Sequence, residues 1–567
     1  MKKKLNLNLY YYIAFGLIVT VLTVLMIFLF RFSYKELFER LGGELREIYT
    51  VDHSLYFTVS RGMLAGQKPY SGYYENKPPL IFLLGAIAWK LNHNYILVNV
   101  MAFISLVIML VLPTALLIVK AIQNKSDPIV AVMLGIPTFF ISVILVMYTV
   151  FDTMNAQVEL FGDCASIITI FVIALFSKNE KKFYSPTVII SGFFLGVAAM
   201  FKEPHAALCA CLMLTMIRNK KDLLYKFVIP LGYAIITIFF ILIVCNCVDT
   251  YFTIYLKNML GAHINIYGNP FVRAWQFNRI MNNIILYSSE LPKILITLFV
   301  VAVLATATRI LVDDTFEKRL FSVIRLLMLF VSVYAAAFVV GLGGQYFYHH
   351  CAFAIPFYFQ FLFVIFEEFP FDSVKFKAQV SENKFQVKKT VFPMVAMVFA
   401  LVLSPMLIKT YQNTNQATTK ETYAMETANA KEVARYVDEV CDALKLENYL
   451  FVGFTGHNPN LYTEHLPYGP SFAQDPQNFK TPDTYWAKEF TMDLHACSFI
   501  VFYSANYLNS IKDSTLKYID EYFTTQIPPE AQKIQKPQYV TKRFFSFCFR
   551  KTLIPPFEPC KGDTCPK

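Results

Sequence analysis

Long apolar runs limit the possible folds of this chain more than any other feature of its sequence. A membrane-spanning helix needs about 20 mostly apolar residues. Candidate spans lie at residues 10–31, 95–120, 128–150, 159–177, 184–201, 203–217, 225–247, 292–311, 320–342, 351–367 and 391–409. Only 16% of the residues are charged, against about 25% in an ordinary soluble protein. The sequence therefore predicts a mostly α, polytopic membrane protein with about eleven transmembrane helices.

Basic residues in the predicted loops indicate how the chain is oriented, because cytoplasmic loops carry an excess of Lys and Arg. With the N-terminus inside, every inside segment is basic: Lys2 to Lys4, Lys120 and Lys125, Lys178 to Lys182, Arg218 to Lys221, Lys318 and Arg319, and Lys375 to Lys389. The formal net charge of +11 is then largely a topology signal, and it does not indicate nucleic-acid binding. We expect a multi-pass protein of the cytoplasmic (inner) membrane with a cytoplasmic N-terminus.

The C-terminal segment, residues 410–567, differs from the rest of the chain. Strand-like runs at Tyr449–Phe454, Ser498–Tyr503 and Phe544–Phe549 alternate with helical patterns near 422–444, 483–494 and 511–523. Such alternation is typical of an α/β domain. The sequence thus predicts a membrane module over 1–409, with a first outside loop at 32–94, and an extracytoplasmic α/β domain over 410–567. No glycine-rich phosphate-binding motif follows a strand, which argues against a nucleotide-driven pump.

The 11 cysteines divide between two environments. Six lie in or beside predicted spans, where thiols pack as small apolar groups. The other five are Cys441, Cys497, Cys548, Cys560 and Cys565. Cys560 and Cys565 would close a short disulfide loop in an oxidising compartment. An odd number outside leaves at least one unpaired, and the pairing cannot be deduced from the sequence.

Two carboxylates stand out on the predicted outer side. Asp52 begins a helical run that continues to Leu64, so it is either a helix N-cap or a general base at the membrane surface, and the spacing leaves both open. Glu159 lies at the mouth of a predicted span, in the same turn as Asp152. A charge within the apolar slab costs about 2.5–3.5 kcal/mol on insertion scales, so Glu159 needs a partner or a function.

Polar side chains from two further turns fall on the same side. Lys202 separates two spans, where interfacial snorkelling is the simpler explanation. Tyr346, His349 and His350 lie in the turn GGQYFYHH, which also fits an aromatic belt. Adjacent histidines on one helix point in different directions, which disfavours a metal site there. The span interiors are nearly free of charge, with Arg325 the main exception, and this favours an outward-facing site over a transport path.

Together these residues match a known family. The chain resembles the GT-C glycosyltransferases, in the bacterial branch related to protein O-mannosyltransferases and to the aminoarabinose transferases of lipid A. The matching residues are Asp52, Gly66-x-x-Pro69-Tyr70 and Glu75-Asn76-Lys77-Pro78-Pro79 in the first loop, then Glu159, Lys202, and Gly343-Gly344-Gln345 with His349 leading to Pro356. The many spans, the long first loop and the C-terminal outer domain fit the same family over essentially the whole chain.

The resemblance implies an inverting hexosyl- or pentosyltransferase that uses a polyprenyl-phosphate-linked sugar donor and a lipid, glycan or protein acceptor on the outer face. It implies Asp52 as the general base, a role worth about 10²–10⁴ in rate, with Glu75 and Glu159 orienting hydroxyl groups. Lys77 and Lys202 would hold the lipid phosphate as it leaves. The resemblance adds Tyr346, His349 and His350 as substrate-binding residues, implies no specific cofactor, and leaves a divalent metal ion open.

Two other classes of function compete with this interpretation. A transporter or flippase of lipid-linked precursors would also need many spans and an apolar groove. A binding or sensory protein would use the C-terminal domain for recognition and the membrane part as an anchor. The binding or sensory protein ranks last, because eleven predicted spans are far more than anchoring requires.

Overall fold

The computed structural model describes most of the chain between residues 51 and 554. The described residues are 51–123, 135, 138–139, 142, 146, 156–176, 182–261, 269, 272, 290–312, 315–342, 352–353, 355–368, 420–453, 458–469, 485–503, 513–537 and 545–554. Of the predicted spans, 10–31 and 391–409 lie outside these residues, and 128–150 does so except at isolated positions. The span count of eleven and the domain boundary at 409/410 therefore remain predictions.

The membrane part is helical wherever it is described. Its helices are α1 (Val51–Leu64), α2 (Leu80–Asn92), α3 (Ile96–Gln123), α4 (Val158–Phe176), α5 (Pro186–Phe201), α6 (Glu203–Leu214), α7 (Lys220–Val244), α8 (248–261), α9 (Glu290–Val312), α10 (Phe316–Leu342) and α11 (Ile355–Glu368). Each predicted span within the described residues coincides with one of these helices. The apolar stretch at 79–91 forms α2 as a separate short helix.

Four of the described helices are long and apolar enough to cross a membrane. They are represented by the segments Ile96–Val119, Val158–Leu175, Lys220–Val244 and Phe316–Ala336. The surface of α7 is itself apolar, since Ile236, Phe240 and Ile243 are each more than 60% exposed. A surface of that kind needs an apolar solvent, as a helix facing lipid has. These features confirm the prediction of a mostly α protein suited to a membrane.

Helices α5 and α7 pack closely through two glycines. A Cβ atom on Gly192 would lie 2.5 Å from the Pro230 carbonyl oxygen, and one on Gly196 would lie 2.7 Å from the Ala234 carbonyl oxygen. Small residues four positions apart allow helix backbones to approach closely in membranes. This contact fixes α5, and therefore the position of Lys202 at its C-terminal end.

The C-terminal domain is built on one five-stranded sheet. Its strands are β1 (Asn448–Val452), β2 (Leu466–Pro467), β3 (Phe499–Tyr503), β4 (Phe523–Thr524) and β5 (Phe545–Arg550), in the order β2-β1-β3-β5-β4. The pairs β2/β1 and β1/β3 are parallel, whereas β3/β5 and β5/β4 are antiparallel. The register places Phe451 opposite Val501, and Val501 opposite Phe547. The three main strands lie where the apolar runs predicted them.

Helices cover both faces of this sheet. Alternate strand residues point to opposite faces, so Phe451 packs under α12 (Lys420–Leu444) while Leu450 packs under α13 (Tyr485–Ala496) and α14 (Asp513–Tyr522). The alternation of strand-like and helical runs in the sequence therefore predicted the α/β class correctly. Cys441, Cys497 and Cys548 are free thiols in this domain, and Cys560 and Cys565 lie outside the described residues.

The C-terminal domain contacts the first loop of the membrane part. The Arg61 guanidinium, near the end of α1, donates hydrogen bonds to the Asn460 carbonyl oxygen at 2.8 Å and to the Glu464 carbonyl oxygen at 3.3 Å. The Tyr73 hydroxyl donates to the Pro467 carbonyl oxygen at 2.7 Å. The domain is thus attached to the same helix that carries Asp52.

Candidate functional site

Asp52 lies within the first turn of α1 and is held by an amide. Gln157, directly before α4, donates through Nε2 to Asp52 Oδ2 at 3.1 Å. The Tyr56 hydroxyl, one turn along α1, donates to Gln157 Oε1 at 3.4 Å. A carboxylate in a helix's first turn also faces the positive end of the helix dipole. The geometry fixes one oxygen of Asp52 and connects α1 to the start of α4.

Glu75 and Lys77 form an ion pair in the loop between α1 and α2. Lys77 Nζ lies 3.7 Å from Glu75 Oε1 and 5.7 Å from the centroid of the Tyr56 ring. The Tyr70 hydroxyl donates to the Lys77 carbonyl oxygen at 2.9 Å and so pins the loop backbone. The Lys77 side chain is 20% exposed. This lysine is therefore positioned by its neighbours and still accessible to a ligand.

The ionisation of this pair depends on its surroundings. Burial raises the pKa of Glu75 to about 7, an effect opposed by the Lys77 charge and reinforced by Asp52. Burial would lower the pKa of Lys77, but attraction to Glu75, Asp52 and Glu159 outweighs it and raises the pKa. Lys77 is thus a permanent cation at neutral pH, whereas Glu75 is divided between its neutral and charged forms.

Glu159 and Lys202 form a second ion pair, between α4 and the bend that separates α5 from α6. Glu159 is almost fully buried at 3% exposure, while the Lys202 side chain is 16% exposed. Lys202 Nζ also lies 5.3 Å from the centroid of the Phe353 ring. The partner that the sequence required for Glu159 is therefore Lys202.

Glu203 was not selected from the sequence as a site residue. It begins α6 directly after Lys202, and the Tyr251 hydroxyl on α8 donates to its Oε1 at 3.0 Å. Tyr251 stacks on Tyr255, which lies 4.8 Å from Tyr70 between ring centroids. In the sequence, Glu203 resembles an ordinary first-turn acid. Only the position of α8 shows that it links this tyrosine cluster to the site.

The structure brings together five of the predicted site residues. Asp52, Glu75, Lys77, Glu159 and Lys202 come from separate helix ends and loops, and they interact electrostatically with one another. They therefore bring into one site charges that lie far apart in the sequence.

The remaining predicted site residues are Tyr346, His349 and His350, which lie outside the described residues, as does Asp152. Among the side chains that are described, no group of three or more His, Cys, Asp or Glu residues is arranged to hold a metal ion. Within the described residues, the candidate site therefore consists of the five residues above, together with Gln157 and Glu203.

The fold can be compared with solved structures. The crystal structure of ArnT from Cupriavidus metallidurans bound to undecaprenyl phosphate matches with a TM-score of 0.50 at 11% sequence identity, over 94% of this chain and 99% of that chain. The chain has the ArnT fold. The structure of the same protein in the apo state matches with a TM-score of 0.46 at 11% identity, over 95% of this chain and 99% of that chain.

At this level of identity the match shows a shared fold, which agrees with the fold that the sequence resemblance implied. No family model matches the sequence, and no curated protein matches it. Within this fold, the arrangement combines a carboxylate held by an amide, Asp52, with two lysines whose side chains are partly exposed, Lys77 and Lys202. Such a set can accept a proton at one point and stabilise an anion at another.

Proposed function

We propose that this protein is a membrane glycosyltransferase that moves a sugar from a polyprenyl-phosphate donor to an acceptor hydroxyl on the outer face of the cytoplasmic membrane. The observation that carries the proposal is the convergence of Lys77 and Lys202 with Asp52 in one site. Two lysines from separate segments suit a phosphate, since each offers several donors and a full charge. The likeness to an ArnT structure that holds undecaprenyl phosphate supports a lipid-linked donor.

The proposed reaction is a single inverting displacement. Asp52 takes the proton of the acceptor hydroxyl at Oδ1, while Gln157 holds Oδ2. The acceptor oxygen then bonds to the anomeric carbon on the face opposite the phosphate. The bond between that carbon and the phosphate oxygen breaks, and its electrons leave with the polyprenyl phosphate. Lys77 and Lys202 stabilise the negative charge that the phosphate gains.

Glu75 and Glu159 have supporting roles in this scheme. Each carboxylate is paired with one of the two lysines, so each orients a cation toward the phosphate. Glu75 also lies close enough to Asp52 to interact with it electrostatically, which places it beside the hydroxyl groups of acceptor or sugar. A neutral Glu75 can donate a hydrogen bond to such a hydroxyl, and an ionised one can accept.

The test combines identification of the donor with one isosteric variant. Mass spectrometry of lipids that co-purify with the protein should identify a polyprenyl-phosphate sugar, which then serves as donor in a transfer assay.

Asp52→Asn keeps an oxygen for the Gln157 hydrogen bond but removes the base, so transfer should fall by about 10²–10⁴ while the melting temperature is unchanged. Retained transfer would exclude Asp52 as the base. Lipid movement across vesicles without a new glycosidic bond would support a flippase instead.

A further inference from the structure

A second pair of ionisable side chains lies one helical turn along α4 from the Glu159–Lys202 pair. Asp163 Oδ1 on α4 is 3.1 Å from His205 Nδ1 on α6, and both side chains are at most 1% exposed. Asp163 follows Glu159 by one helical turn, and His205 follows Lys202 by three residues. The two pairs therefore form successive contacts along the same α4–α6 interface.

The fit around His205 is tight on the side of α4. A Cβ atom on Gly162 would lie 2.7 Å from His205 Cγ, so the glycine makes room for the imidazole ring. On its other side the ring lies 4.5 Å from the Phe353 ring, which is also the ring that Lys202 Nζ approaches. His205 and Lys202 therefore both lie against the Phe353 ring.

Ionisable groups inside a membrane helix bundle are costly, and an apolar pair would hold the same helices together at least as well. The next contact along the interface shows such a simpler solution, where the Cys209 thiol donates to the Ser166 carbonyl oxygen at 3.7 Å. Packing alone thus gives no reason for Asp163 and His205. Their position next to Lys202, the phosphate-binding lysine of the proposed reaction, gives such a reason.

We infer that Asp163 and His205 form a positioning pair that fixes α6 against α4 and so holds Lys202 Nζ at the leaving phosphate. This inference rests on the proposed function. Because the phosphodiester of the donor already carries one negative charge and gains the second only during transfer, loss of the positioning pair should lower kcat and leave the KM for the lipid donor nearly unchanged.

The experiment compares His205 variants with a matched packing variant. His205→Asn keeps a nitrogen at the position of Nδ1, His205→Gln moves that nitrogen to the position of Nε2, and Cys209→Ala removes the next contact along the same interface. We expect His205→Asn to keep most of its activity and His205→Gln to lose about 10–100-fold in kcat, as for a small misplacement of a catalytic group. Cys209→Ala should keep kcat, since its contact lies one helical turn farther along α6 from Lys202.

Two outcomes separate this inference from the proposed function. A wild-type protein that binds no polyprenyl phosphate and transfers no sugar would contradict the proposed function itself. A wild-type protein that transfers sugar, with equal kcat for His205→Asn and His205→Gln, would overturn the positioning role. A melting temperature measured for each variant identifies any loss of kcat that comes from unfolding, and Asp163→Asn, which keeps an acceptor oxygen, provides an independent second variant.

Discussion

At the scale of single residues, the site depends on charges that are buried together. Glu159 is 3% exposed and has Lys202 as its ion-pair partner. Removing one member of a buried pair costs about 3–5 kcal/mol, because the other charge is left uncompensated, whereas removing both costs much less. The pair is therefore stabilising only as a unit.

This gives a prediction for a double-mutant cycle. Lys202→Met should lower the melting temperature in detergent well below that of the double variant Glu159→Gln/Lys202→Met, because only the single variant leaves a buried carboxylate alone. Both variants should lose affinity for polyprenyl phosphate. A double variant that melts as low as the single one would show that the two charges are not coupled.

The Glu75 carboxyl gives a prediction about pH. Since burial raises its folded-state pKa to about 7 from an ordinary 4.5, the folded protein binds this proton more tightly than the unfolded chain does. The stability from the neutral form is complete below about pH 4.5 and is lost as the pH rises through about 7. Glu75→Gln should remove that loss. The melting temperature of the variant, relative to that of the wild type, should be higher at pH 8 than at pH 5, and a constant difference would contradict the shift.

At the scale of elements, the sequence predicted most of the described helices and strands but not the side-chain contacts between them. The helix predicted from Asp52 to Leu64 is found at Val51–Leu64, because its polar start and apolar run are local signals. The strand β2 has only two residues, too few for any periodicity. Glu203 and the Asp163–His205 pair could not be predicted, because their contacts depend on how α6 is aligned with α8 and α4.

The α5–α7 contact gives a prediction at this scale. A methyl group at Gly196 would lie 2.7 Å from the Ala234 carbonyl oxygen, whereas one at Gly232 on α7 would meet nothing within 4 Å. Gly196→Ala should therefore separate the two helices and lower both the melting temperature and the yield of folded protein. Gly232→Ala is the matched control and should be neutral or slightly stabilising, since alanine favours a helix by about 0.8–1 kcal/mol over glycine. Equal melting temperatures would contradict the close contact.

At the scale of the whole molecule, hydrogen bonds from α1 and from the loop that follows it join the C-terminal domain to the membrane part. Arg61 contributes two, Tyr73 contributes one, and Arg61 also lies 5.1 Å from the centroid of the Trp89 ring. Because α1 carries Asp52 at its other end, motion of the domain would be transmitted to the proposed base. The outer domain is therefore expected to support the geometry of the site.

Loss of this attachment can be measured directly. Arg61→Leu should make the C-terminal domain more accessible to limited proteolysis, and Tyr73→Phe should do so more weakly, since one buried hydrogen bond contributes about 0.5–1.5 kcal/mol. Arg435→Leu is the control: this arginine pairs with Glu439 on the surface of α12, with 44% of each side chain exposed, and such pairs contribute about 0–1 kcal/mol. Equal cleavage of Arg61→Leu and the control would contradict the attachment.

The attachment between the two parts is made to backbone atoms of the C-terminal domain. Arg61 and Tyr73 bind the carbonyl oxygens of Asn460, Glu464 and Pro467, and every amino acid carries such an oxygen. Substitutions in this stretch of the domain can therefore accumulate over evolution without loss of the joint, provided the path of the main chain is kept. A joint of this kind constrains the path of the main chain rather than the side chains, and the structural match over 94% of this chain at 11% identity shows how few residues a similar fold can have in common.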